Sequence, residues 1–264
     1  MNQSDADALD QGAYMSRLLQ DGDPTPAEIF NPEGSSPILL VCEHAGQGIP
    51  AALGDLGLTQ DQRNAHIGWD IGAAAVTRLL SDSLDATAIL QHYSRLVIDC
   101  NRPPKALDSV PEVSDGIGIP ANQSLSNRRE RIEEIFEPFH DQVTRLLDSS
   151  RFRVAISVHS FTPIMQNVPR PWDIGFLYRK DTTTSSKLAT YMKKAFPWMT
   201  IGHNQPYQVT GLSDWFVPEH GEARGINHSL IEIRNDHITT KQGQAKWADI
   251  LDATLQHFLT EALT

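Results

Sequence analysis

The sequence predicts an α/β fold: a single domain built on a mixed, mostly parallel sheet flanked by helices. Three observations carry that expectation. Short apolar runs of strand length alternate along the chain with longer amphipathic stretches. Several of the runs are apolar throughout, as strands buried on both faces are. The same runs end in polar or glycine residues, as parallel strands do at the carboxyl edge of a sheet.

Residues 1–36 are polar and turn-rich, and they read as a short helix followed by an irregular lead-in to a domain spanning 37–264. Pro37-Ile-Leu-Leu-Val-Cys42 is a buried strand running into Glu43-His44-Ala-Gly46. Helical spacing of Ile71, Ala74, Ala75, Leu79 and Leu80 predicts a helix over 60–81. A short strand near 87–90 and a second, Leu96-Val-Ile-Asp99, follow. Residues 103–124 are rich in proline and glycine and read as a loop. Ile132, Ile135, Phe136, Phe139, Val143, Leu146 and Leu147 mark an amphipathic helix over 125–149. Val154–Val158 is a strand with His159-Ser160 at its end, Asp173–Tyr178 another, and 184–195 a helix. A second irregular stretch spans 202–228. Ser229–Ile233 is the last strand, with Arg234-Asn-Asp236 behind it, and 241–262 the closing helix.

The chain has 264 residues, 40% hydrophobic and 21% charged, enough to bury a sizeable core. It has neither a fixed glycine period nor a sustained heptad, which excludes collagen-like and coiled-coil classes. A net charge of −11 argues against nucleic acid or an anionic membrane as the main partner. Two cysteines, Cys42 and Cys100, are too few for a disulfide framework and read as buried thiols. No secretory leader and no membrane-length apolar window stands out, so a cytoplasmic setting is expected.

Four strand ends carry groups that bind metals, titrate or hold anions: Glu43-His44, Asp99-Cys-Asn101-Arg102, His159-Ser160, and Glu232 with Arg234. Ligands bind beyond the carboxyl ends of the strands in an open α/β sheet, so these groups converge if the strands are parallel neighbours. Such a set suits metal-assisted hydrolysis. A catalytic Zn2+ takes three protein ligands and keeps a fourth position open. His44 and His159 are the imidazole candidates, with Asp70, Glu43 or Asp99 as the third ligand. A separate carboxylate, Glu232, suits a general base. Arg95, Arg102 and Arg234 could grip a substrate carboxylate or polarise a carbonyl. Each also has a structural alternative: Asp99 with Arg95, and Glu232 with Arg234, as ion pairs. His66, His92, His140, His203, His220, His228, His237 and His257 carry no assignment.

Val41-Cys-Glu-His-Ala-Gly46, Gly68-Trp-Asp70, Ser94-Arg-Leu-Val-Ile-Asp-Cys-Asn-Arg102, Val158-His-Ser160 and Ile231-Glu-Ile-Arg-Asn-Asp236 resemble the N-formylglutamate amidohydrolase family over roughly residues 37–240. The order of elements also resembles the zinc carboxypeptidases and aspartoacylase-like deacylases, which implies a phosphorylase/hydrolase-like, zinc carboxypeptidase-like fold. The resemblance implies His44 and His159 as metal ligands and Glu232 as the base. It gives Asn101 and Arg102 the substrate carboxylate and Arg95 a carbonyl or carboxylate contact, and Asp99 and Arg234 are further substrate-binding candidates. The carboxypeptidase group places a ligating Glu three residues after its first His, where this chain has Gln47. The third ligand is therefore expected at Asp70, with Glu43 as the alternative. The expected substrate is a small N-acyl derivative of an acidic amino acid such as N-formyl-L-glutamate, giving formate and glutamate, with another N-acyl amino acid as the alternative. The rivals are a serine hydrolase using Ser94 or Ser160, for which there is no G-x-S-x-G elbow, and a non-catalytic binder of acidic amino acids. Phosphate-binding glycine loops are missing. One of the stretches at 103–124 and 202–228 is expected to close over the substrate as a lid.

Overall fold

A computed structural model describes residues 17–124 and 127–262. In chain order the elements are β1 (Ala27–Phe30), β2 (Ile38–Cys42), α1 (Gln60–Asn64), α2 (Ala73–Leu84), β3 (Thr87–Gln91), and a small hairpin of β4 (Val113–Ser114) and β5 (Ile117–Gly118). Then come α3 (Arg128–Arg131), joined through a π-helical turn to α4 (Glu137–Asp148), and β6 (Val154–Phe161). A second hairpin, β7 (Ile164–Met165) and β8 (Val168–Pro169), precedes β9 (Ile174–Leu177), α5 (Thr182–Ala195), β10 (Ile201–His203), β11 (Asn227–Arg234) and α6 (Lys241–Ala262).

Seven strands form one sheet in the order β1-β3-β2-β6-β11-β9-β10. The run β3-β2-β6-β11 is parallel throughout, and so is β9-β10. β1 on β3 and β9 on β11 are antiparallel. The sheet is mixed and mostly parallel, as expected. Side chains alternate across it. Ile38, Leu40 and Cys42 join one core with α2, α5 and α6, whereas Leu39 and Val41 face α4 in a second core on the other side.

Four expectations need correction. Residues 27–30, expected in the irregular lead-in, form the edge strand β1; the helix expected earlier in that lead-in lies outside the described residues. The expected helix over 60–81 is two helices. Thr59 closes a capping box on Gln62 to start α1, and Gly72, at φ +81°, restarts the chain as α2. An added Cβ at Gly72 would meet the Ile238 carbonyl oxygen at 2.3 Å, so the break needs glycine there. The loop between α1 and α2 carries Asp70.

Leu96–Asp99 is a buried turn rather than a strand. Its backbone is satisfied by side chains: Asn122 Nδ2 donates to the Leu96 carbonyl and Arg131 Nη1 to the Val97 carbonyl, each at 2.8 Å. Leu96, Val97 and Ile98 are still buried, but against the α4-side core instead of in a ladder. The strand ending at 158 in the sequence reading continues to Phe161, because its register with β11 runs through Arg234. His159 and Ser160 therefore lie within the strand. No helix among the described residues is long and apolar enough to cross a membrane.

Candidate active site

The parallel strands β2, β6 and β11 deliver the key groups side by side. His159 and Glu232 are register partners. Both fall on the side of the sheet where Leu230 and Ala155 pack towards α4, because Ile231, Ile233 and Val158 face the other core. His44 follows β2 by two residues. Asp70 is tied to it through its backbone, its N–H donating to the His44 carbonyl at 3.0 Å.

Asp99 Oδ1 lies 2.8 Å from His44 Nε2, and Glu43 Oε2 lies 3.1 Å from His159 Nε2. Ionised carboxylates only accept, so both Nε2 atoms carry the ring proton. That leaves the two Nδ1 atoms as lone pairs, and they face one another at 3.0 Å. Asp70 Oδ2 completes the triangle, 3.3 Å from His44 Nδ1 and 2.8 Å from His159 Nδ1.

Three acceptors meeting in a buried spot repel unless a cation or a proton lies among them. Ligands about 2.0–2.1 Å from a tetrahedral zinc stand about 3.3 Å apart, close to the observed edges. The donor set therefore fits a divalent metal. Among the described residues, His44, Asp70 and His159 are the group whose ligand atoms gather in this way, all within 4.8 Å. A proton can serve there instead of a metal: burial opposes charge on His159, but Asp70 and Glu43 outweigh it and hold the ring well above its usual range. Burial likewise opposes ionisation of Asp70, and His44 and His159 outweigh it, keeping the carboxyl far below its usual range.

The remaining predicted residues sort by contact. Glu43 lies behind His159 and also accepts from Ser157 Oγ at 2.7 Å, which is an outer-carboxylate position rather than that of a ligand. Asp99, expected beside the substrate, holds His44 and takes Arg95 Nη2 at 2.7 Å. Arg95 also reaches Asp70 Oδ1 at 3.4 Å, so the anticipated Asp99–Arg95 ion pair forms as part of the site.

Asn101 is engaged at both ends of its amide. Its Oδ1 accepts from the Trp215 and Phe216 N–H groups, and its Nδ2 donates to Asp214. Arg102 lines the cavity. Arg234 does not: it is bound to Asp236 and Asp173 beyond the end of β11, and leaves Glu232 without the ion pair considered for it. Ser160 Oγ donates to the Ile71 carbonyl and Ser94 Oγ to the Gly68 carbonyl, and neither serves a histidine as a nucleophile would.

Glu232 lines the same cavity, and its Oε2 is buried without a hydrogen-bond partner. Burial pushes its carboxyl up to about 7. The cavity, about 410 Å³, is bounded by both irregular stretches, through Asp108–Asp115 on one side and Tyr207–Asp214 on the other.

Sequence reasoning missed several contributors. Asp214 is buried, pushed up to about 7 by that burial, and caps the following turn through the Val217 N–H. An Asp three residues ahead of an apolar turn was its one signal. Tyr207 had no signal. Outside the cavity lining, His140 and His220 are buried partners at 2.9 Å, and His228 is buried too.

A model of the N-formylglutamate amidohydrolase family matches residues 36–239. The crystal structure of gene product Atu2144 from Agrobacterium tumefaciens is 32% identical, with a TM-score of 0.89 over 94% of this chain and 100% of that one. The structure of an N-formylglutamate amidohydrolase from Ralstonia eutropha JMP134 is 20% identical, with a TM-score of 0.61 over 89% of this chain and 97% of that one, a likeness of fold. No curated protein matches the chain at a significant level.

Proposed function

The chain belongs to the N-formylglutamate amidohydrolase family, and from that premise we propose that it is a metal-dependent hydrolase of the amide in N-acyl amino acids, with N-formyl-L-glutamate as the reference substrate and formate and glutamate as its products. The observation that carries this reading is the pair of facing Nδ1 lone pairs closed by Asp70, with the unpartnered Glu232 carboxylate in the same cavity. A zinc ion bound by His44, Asp70 and His159 would polarise the scissile carbonyl and lower the pKa of an attacking water from 15.7 to about 7.

The protein's own groups do the rest. Glu232 takes the proton from the water as its oxygen adds to the carbonyl carbon. It returns that proton to the leaving nitrogen as the C–N bond breaks, a role suited to a carboxyl whose burial places it near neutrality. Arg95, with two of its five donors engaged by Asp70 and Asp99, keeps others for the developing oxyanion. Arg102 holds the amino-acid carboxylate. Asn101 lines the cavity beside it and also keeps segment 214–216 in place. Glu43 and Asp99 fix the two imidazoles.

The test is metal content after purification free of chelators, in wild type, His44→Ala, His159→Ala and Glu232→Gln. About one zinc per chain is expected in wild type, lost in both alanine variants. Glu232→Gln should keep the metal and lose turnover by about 10²–10⁴-fold. Wild type that takes up no zinc when it is supplied, or a Glu232→Gln protein as active as wild type, refutes the proposal.

A further inference from the structure

The cavity wall is not provisioned for two carboxylates. Among the described residues, the arginines and lysines lining it are Arg95 and Arg102. Two buried carboxylates already engage Arg95, Asp99 at 2.7 Å and Asp70 at 3.4 Å. Arg102 meets Asp108 at 3.3 Å, and that partner's side chain is 61% exposed, so a ligand carboxylate can displace it at little cost. The neighbouring Arg170 lies outside the lining. It donates to the Tyr207 hydroxyl and the Met165 sulfur, and stacks on the Phe161 and Tyr207 rings.

One carboxylate therefore finds one arginine. A second would face Asp108 and Asp115, and the lining histidine that could answer it, His66, already has the Asp115 carboxylate 3.3 Å from its Nε2, though without a hydrogen bond. The rest of the wall is mixed: Ile67, Pro111, Val113, Leu177, Val209 and Leu230 form its apolar part, beside Ser114, Thr162, Gln208 and Ser213. The apolar part continues outward: Leu107, Val113, Ile164, Val168, Tyr207 and Leu212 are exposed, and each lines the cavity or stands on a loop with a neighbour that does. Scattered apolar residues on a surface are ordinary, but a set gathered on the loops of one cavity marks what that cavity receives.

Resting on the reading of this site as an N-acyl amino-acid amidohydrolase, we propose that its substrates are N-acyl derivatives of apolar amino acids carrying a single carboxylate, gripped by Arg102, and that a second carboxylate on the side chain is disfavoured. The family's name points to glutamate; this chain's own wall selects against it.

The experiment compares kcat/KM of the zinc-loaded protein on N-formyl-L-leucine, N-formyl-L-glutamine and N-formyl-L-glutamate. Glutamine and glutamate are near-isosteric, so their ratio isolates the second charge. Glutamine should exceed glutamate by about tenfold or more, the scale of one uncompensated repulsion near a protein surface, and leucine should equal or exceed glutamine. Asp115→Asn should narrow the glutamine-to-glutamate ratio several-fold. Glutamate at or above glutamine overturns the charge argument, and leucine far below glutamine overturns the apolar one. Zinc-loaded protein that hydrolyses none of the three refutes the amidohydrolase reading instead. Calorimetric affinities of free leucine, glutamine and glutamate for the same protein then still rank the pocket, and glutamate bound tightest overturns the proposal independently of turnover.

Discussion

Glu43→Gln separates an outer carboxylate from a direct metal ligand. Glu43 Oε2 is the acceptor for His159 Nε2–H at 3.1 Å and also takes the Ser157 hydroxyl at 2.7 Å, with the carboxylate fully buried. A hydrogen bond to a charged group contributes about 1.5–3 kcal/mol. The amide keeps an acceptor oxygen but loses the charge, so most of that stabilisation of the ring's orientation and basicity is lost. A loss of about 1.4–2.7 kcal/mol corresponds to a 10–100-fold weaker zinc affinity, the range typical of outer-shell partners. Competition with a chromogenic chelator at neutral pH measures it, with His159→Ala alongside. Glu43→Gln should fall between wild type and His159→Ala. Equal deficiency in the two variants would put Glu43 on the metal itself. Unchanged affinity would show that His159 needs no carboxylate behind it.

Asn122→Ala tests the buried turn beneath the site. Its side chain makes three 2.8 Å bonds, to the Leu96 and Pro111 carbonyls and from Arg131, so about 3 kcal/mol of stability should be lost in urea unfolding; a loss under about 1 kcal/mol would refute its bridging role. The His140–His220 pair sets an acid-side slope. Burial holds His140 at about 4 and His220 at about 2, against about 6.5 in the unfolded chain. Below pH 6.5 the unfolded state binds protons that the folded pair refuses, so stability is full above 6.5 and falls as pH drops towards 4. The cost is about 2 kcal/mol per histidine at pH 5. His140→Gln should flatten that part of the profile measured by urea unfolding, and a slope equal to wild type would rule the pair out as its source.

The apolar runs at 38–42, 87–91, 154–158 and 229–233 were legible because a strand buried on both faces needs such a run and little else. Leu96-Val-Ile-Asp99 carries the same local signal and is no strand. Its fate is decided by Asn122 and Arg131, far along the chain, which offer its carbonyls partners that a neighbouring strand would otherwise supply. Edge strand β1 was invisible for the opposite reason, since all four of its residues are only half-buried.

In the site, residue types pointed to His44, His159 and Asp70, and the structure brings them together. Composition could not say whether Glu43 or Asp99 touches a metal or supports a ligand. That depends on which ring nitrogen faces which carboxylate, a matter of packing. Asn101 was read as a substrate contact; it lines the cavity, and its amide is also engaged by the 214–216 backbone and Asp214. Both partners lie in a stretch whose irregular sequence gave no hint of that contact.

β11 also has a temporal meaning. It is the strand nearest the end of the sequence, yet it lies between β6 and β9, joining the strands that carry the histidines to the β9–β10 edge. Without residues 227–234 in place the strands would form two incomplete sheets, each with an open edge of the kind that recruits foreign strands. Only when 227–234 slot in do the halves become one, and the same step brings Glu232 opposite His159. Closing the sheet and completing the site are thus a single step, and before it the open edges leave room for aggregation to compete with folding.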